Sequence, residues 1–136
     1  MQKLFGVGSK KSGTPVTAST SDRDLLARII AAEADSEPYE GQVAVGAVVL
    51  NRVKSTKFPN SIRDVIYASG QFEPVSNGRF DRVKPTETQY KAADEALSGV
   101  DPTDGAVYFY APTLTKQRWH ETLTLTFELG GHRFFK

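Results

Sequence analysis

Cysteine is missing from this chain altogether. That excludes a disulfide scaffold, Cys-ligated zinc, an iron–sulfur cluster and a cysteine nucleophile. Histidine occurs twice, at His120 and His132, and the HExxH spacing of a zinc helix does not occur. Both histidines read as surface or structural residues, and no metal or cofactor is expected. A Ser–His–Asp triad is defined by geometry rather than spacing and stays open at this stage. The GxSxG elbow and the glycine-rich phosphate loop are both absent. Charge of one sign is lacking too: 17 Lys and Arg face 16 Asp and Glu, for a net charge of +1. Nothing in that balance asks for a nucleic acid or an anionic membrane. No apolar run approaches the length of a membrane span. The first apolar cluster, Leu4, Phe5 and Val7, is too short for a signal-peptide core, so no export route is visible. A monomer without membrane insertion is the expectation.

What is present is a composition of 39% hydrophobic and 24% charged residues over 136 positions, which fits one globular domain. Residues 1–20, rich in Ser, Thr, Gly and Lys and without periodicity, read as a flexible N-terminal arm. Residues 21–136 read as the folded domain. Ser21 and Asp24 resemble a capping box. Leu25, Leu26, Ile29, Ile30 and Glu33 follow at helical spacing, and Pro38 sets the helix end near Asp35 or Ser36. The run Val43 to Leu50 is apolar on every side. Its flanks favour a helix, which must then be central to the core, with Gly46 and the alanines allowing close packing. A turn at Phe58-Pro59-Asn60-Ser61 precedes a short helix marked by Ile62, Val65 and Ile66. Residues 69–85 read as a long polar loop, a kind of segment that is usually functional. Thr86 and Gln89 form a capping box for a helix that Gly99 ends. Strands are expected at Val107–Tyr110, Leu123–Phe127 and His132–Phe135. Helices first and a small β part last give an α+β fold.

Glu33 carries the most chemical information. Its spacing from Leu26, Ile29 and Ile30 puts it on the apolar face of its own helix, near the C-terminal end. Burial and the negative end of the helix dipole both disfavour a charged carboxylate there and raise its pKa. A carboxyl protonated near neutral pH is a general acid. The competing reading is a salt bridge to Arg28 or Arg52, or an early helix end that leaves Glu33 in water. Among the aromatics that could stack on sugar rings or bases (Phe72, Phe80, Tyr108, Tyr110 and Trp119), Phe72 and Trp119 have polar or charged neighbours and read as the exposed ones.

The segment Ala32-Glu33-Ala34-Asp35-Ser36-Glu37-Pro38-Tyr39-Glu40-Gly41-Gln42, continuing through Val43 to Asn51-Arg52, resembles the signature of the cell wall hydrolase family typified by spore cortex-lytic enzymes. The resemblance runs on through Phe58-Pro59, Val65-Ile66, Gly70-Gln71-Phe72, Val75-Ser76-Asn77-Gly78, Asp101-Pro102, Ala106 to Tyr110, Trp119 and Gly131-His132-Arg133-Phe134. It implies a small lysozyme-like domain, mainly helical, that cuts peptidoglycan glycan strands and is similar to lytic transglycosylases. The family's catalytic acid falls on Glu33. Two departures stand out. Asp35-Ser36 replaces a basic or small residue followed by Gly, and the added Asp35 carboxylate is expected to raise the pKa of Glu33 further. The missing export signal looks more like a bacteriophage lysin or a virion-borne lytic domain.

The resemblance therefore implies cleavage between N-acetylmuramic acid and N-acetylglucosamine, with Glu33 as acid and then base and a 1,6-anhydro product. Gln42 and Gln71 are the candidates for orienting the sugar, and Phe72, Tyr110 and Trp119 for the cleft walls. Glu37 and Glu40, with Glu73 behind them, are the candidate second acids if the enzyme is a muramidase-type hydrolase. An inactive glycan-binding module and a virion structural protein are the non-enzymatic alternatives.

Overall fold

A computed structural model describes residues 19–111 and 122–136. The element order is α1 (Thr20–Ala34), α2 (Tyr39–Lys54), α3 (Ile62–Tyr67), α4 (Glu73–Ser76), α5 (Arg79–Arg82), α6 (Glu87–Leu97), β1 (Tyr108–Tyr110), β2 (Leu125–Leu129) and β3 (His132–Phe135). The strands form one antiparallel sheet in the order β1-β3-β2. The α+β expectation, with helices first and a small sheet last, holds. The arm proposed for residues 1–20 falls almost wholly outside the described residues.

The cap of α1 is Ser19, two residues before the expected Ser21. Ser19 Oγ accepts from the Asp22 backbone N–H at 3.1 Å, and the Asp22 carboxylate takes the Ser19 N–H in return. The same motif shape recurs at Ser21 and Asp24, but Asp24 is engaged elsewhere. It accepts the Tyr90 hydroxyl of α6 and faces Arg28. Arg23 adds a two-pronged bond to Asp94 at 2.6 and 3.0 Å, so the exposed flank of α1 is tied to α6.

Helix α2 is the central element that its all-apolar run predicts. Every residue from Gly41 to Leu50 is buried. It packs against α1 and α6. Gly46 lets the three approach: a Cβ there would lie 3.1 Å from both the Ala96 Cβ and the Ile30 Cδ1. Helix α6 carries the expected capping box of Thr86 and Gln89.

Residues 69–85 are not the structureless loop expected. Phe72, Pro74 and Phe80 are buried, and each of the two phenylalanines contributes roughly 1.5–3 kcal/mol by its burial. The chain must curl to bring these anchors inward. It does so through α4, a left-handed Gly78 (φ +83°) and α5. Polar residues dominate the count in this segment and hid its three apolar anchors.

The sheet is joined to the helices by the end of α2. Asn51 Nδ2 donates to the Ala106 carbonyl at 2.9 Å and to Asp101 at 3.0 Å. Arg52 Nε donates to the Val107 carbonyl at 2.7 Å. Strand β2 sits two residues later than expected. Thr124 still exchanges both backbone bonds with Lys136, and a register irregularity between Leu125 and Phe127 follows. Beyond it the ladder resumes at Phe127 and runs to Leu129.

Candidate active site

Glu33 occupies the last turn of α1 beside the buried Ile29, Ile30, Ala32 and Ala34. It opens into a cleft of about 280 Å³ between the end of α1, the α4–α5 segment and the sheet, lined also by Arg52, Gln71, Glu73, Arg79, Tyr110 and His132. Among the described residues no hydrogen bond or ion pair reaches its carboxylate. The salt bridge to Arg28 or Arg52 is therefore not made. Arg28 faces Asp24 at 3.5 Å and lies over the Phe80 ring.

Burial without a partner raises the Glu33 pKa from 4.5 to about 7, and the nearby Glu73 charge adds to the rise. Arg79 and Arg52 oppose it. Desolvation wins because neither cation touches the carboxylate. The sequence argument from the apolar face is thus matched by geometry. The extra carboxylate that acts on Glu33 is Glu73, not Asp35. Asp35 is exposed and lines a separate cavity with Gln42, Lys84 and Thr88.

Arg52 is the floor of the site. Only 4% exposed, its guanidinium lies 5.0 Å from the ring centroids of Phe58 and Phe72 and 5.8 Å from that of Tyr108. Burial lowers its pKa to about 10, so it stays charged at neutral pH. Its donors go to Val107 and, at 3.4 Å, to the Gln71 side-chain oxygen. Gln71 is thereby held at the cleft rim. His132 closes another side. Its ring meets Phe109 edge-on at 5.1 Å, and its Nδ1 is buried without a hydrogen-bond partner. Burial lowers its pKa, partly opposed by Glu37, so the imidazole is neutral at pH 7.

The structure thus brings Gln71 and Tyr110 to the cleft of Glu33 and places Phe72, Gln42, Glu37 and Glu40 elsewhere. Phe72 is 3% exposed and packs under Arg52, which corrects its reading as an exposed wall. Its backbone is extended, so Gln71 and Glu73 point outward while Phe72 alternates inward. Gln42 is buried as well. It donates to the Glu37 carbonyl at 3.1 Å and accepts from Gln89 at 3.1 Å, away from Glu33. Glu37 is occupied by the hairpin between β2 and β3: its Oε1 accepts the Gly131 N–H at 2.7 Å. Glu40 sits in the first turn of α2 and does not line the cleft. Trp119 and His120 lie outside the described residues.

Sequence reasoning missed Arg79, Glu73 as a cleft wall, and the place of His132. The first two were hidden in the supposed loop. His132 had a usable signal, since strand alternation puts it on the buried face with Phe134. Among the described residues no group of His, Asp or Glu could hold a metal ion.

Comparisons with known proteins identify the family and the fold. The family model for Cell Wall Hydrolase matches residues 36–135, beginning just after Glu33. The spore cortex-lytic enzyme of Bacillus cereus is 38% identical over 94% of this chain and 49% of its own length. That of Bacillus subtilis is 42% identical over 85% of this chain and 38% of its own. The chain therefore spans half or less of these curated relatives. The solved catalytic domain of the germination-specific lytic transglycosylase SleB from Bacillus anthracis superposes with a TM-score of 0.82 at 38% identity, covering 90% of this chain and all of that one. A family match over most of the sequence, together with a shared fold, leads to one conclusion: the chain belongs to the Cell Wall Hydrolase family.

Proposed function

We propose that this domain cleaves peptidoglycan between N-acetylmuramic acid and N-acetylglucosamine as a lytic transglycosylase, with Glu33 as its one acid and base. The observation that carries the reading is the Glu33 carboxyl: half-buried, without a partner among the described residues, and raised by desolvation to a pKa of about 7 at the wall of an open cleft. The lytic transglycosylase named among the solved relatives supports the choice of reaction.

Protonated Glu33 gives its proton to the glycosidic oxygen as the bond to C1 of the muramic residue breaks. The carboxylate so formed takes the proton of that sugar's C6 hydroxyl, whose oxygen bonds C1 and closes the 1,6-anhydro ring. Atoms balance without water, and the nucleophile is already attached to the reacting centre. Gln71 and Tyr110 are the residues proposed to orient the sugar. The named relatives are spore cortex-lytic enzymes, which favours a cell-wall target and lends no support to the phage-lysin expectation.

Mass spectrometry of products released from purified peptidoglycan tests this. Muropeptides lighter by one water than hydrolytic ones, absent with Glu33→Gln, are expected. Reducing ends would contradict it and assign water activation to Glu73, the other acid at this cleft among the described residues.

A further inference from the structure

One exposed charge at this cleft, Arg79, has no bonding partner for its side chain among the described residues. It lines the cleft with Glu33. Three other arginines are engaged. Arg23 holds Asp94, Arg133 holds Glu128, and Arg52 is bound to Val107 and Gln71.

The root of Arg79 is nonetheless fixed. Its backbone N–H donates to Asn77 Oδ1 at 2.9 Å, and the left-handed Gly78 turns the chain just before it. The next residue, Phe80, is 1% exposed and packs edge-on against Tyr67 at 5.6 Å. A guanidinium on an anchored turn, with five donors and no acceptor, is suited to a planar oxyanion.

We propose that Arg79 recognises a carboxylate carried by the glycan strand, so that the preferred substrates are strands whose muramic residues bear carboxylates beside the scissile bond. This rests on the reading given under Proposed function. N-acetylglucosamine is neutral, whereas each muramic residue carries a lactyl group whose carboxyl is either free or extended by a peptide with carboxylates of its own. Arg79 and Glu33 line the same cleft of about 280 Å³, which puts the bound anion beside the reacting sugar. Pairing neutralises Arg79, leaving Glu73 and the engaged Arg52 as the charges acting on Glu33. The acid is then held protonated to higher pH on a carboxylated substrate.

The test compares the full chain and its Arg79→Gln and Arg79→Lys variants on three preparations of one peptidoglycan. The first keeps its peptides, the second has them removed by an amidase to free the lactyl carboxylates, and the third has every carboxyl converted to an amide. Wild type is expected to prefer a carboxylated strand over the amidated one by about 10- to 100-fold in kcat/KM, the range of a charge-assisted bond, mostly through KM. Arg79→Gln should bring that ratio close to one, and Arg79→Lys should keep part of it. Whichever of the first two strands loses more in Arg79→Gln identifies the source of the carboxylate. The alkaline limb of wild type should lie at higher pH on that strand than on the amidated one. Equal cleavage of all three strands by wild type, or an equal loss on all three in Arg79→Gln, would overturn the inference while leaving Glu33 in place. Failure of wild type to cut any strand would instead remove the functional reading itself.

Discussion

Glu33 and Asp101 are both acids drawn into the interior, and their surroundings are opposite. Asp101 is 9% exposed and saturated with donors. Oδ1 takes the Thr103 backbone N–H at 2.8 Å and its hydroxyl at 2.6 Å, while Oδ2 takes Gly105 N–H and Asn51 Nδ2, each at 3.0 Å. The result is a rigid turn that hands the chain from the helices to the sheet. Glu33 has no such donor among the described residues and faces a cleft. A buried carboxylate surrounded by N–H groups serves structure. One left without them keeps its proton near neutral pH and has it available to give away.

The contrast is broken most severely at Glu33. Glu33→Gln should lower turnover by about 10²- to 10⁴-fold, the range of a lost general acid, with the fold intact. Product release from purified peptidoglycan checks this, and activity within tenfold of wild type would remove Glu33 from the mechanism. Asp101→Ala should do the reverse. It strands the donors of Asn51, Thr103 and Gly105 and should cost about 3 kcal/mol of stability, read by thermal or urea unfolding, with turnover per folded molecule unchanged.

Stability against pH sharpens the comparison. The folded state holds the Glu33 proton more tightly than the unfolded chain, since its pKa is raised from 4.5 to about 7. Stability is therefore fullest below the ordinary carboxylate range and falls as pH rises between those values. Glu33→Gln should gain about 2–3 kcal/mol over wild type at pH 8 and nothing near pH 4. Unfolding curves at the two pH values decide this, and equal gains at both would show that charge burial is not the cause.

The smallest effect concerns an acid that the fold has taken up. Gly130 has φ +58°, and a Cβ there would lie 2.3 Å from Glu37 Oε1. Gly130→Ala should cost about 1–2 kcal/mol through strain and the disturbed Glu37–Gly131 bond. Glu37→Gln should cost less and leave the product type unchanged, as expected of a residue bound into a hairpin.

Legibility in the sequence followed the range of the interactions. The central helix, the cap at Thr86 and Gln89, and Glu33 on an apolar face are local patterns of period or spacing, and each could be read directly. The burial of Phe72 and Gln42 could not. Phe72 turns inward because Arg52, distant in sequence, offers its guanidinium as a lid. Gln42 finds Gln89 across two helices. The same limit hid Arg79 and Glu73, which reach the cleft only because Phe80 and Pro74 anchor the turns that carry them. Ser21 misled for another reason: two serines each precede an aspartate by three residues, and only the tie from Asp24 to Tyr90 selects Ser19 as the cap.

The most direct test is a carbon-13 NMR titration of the Glu33 carboxyl, assigned by the signal lost in Glu33→Gln. The account predicts a midpoint near 7. A midpoint close to 4.5, the ordinary value for a glutamate, would mean that the carboxyl is ionised at neutral pH and could not serve as the acid.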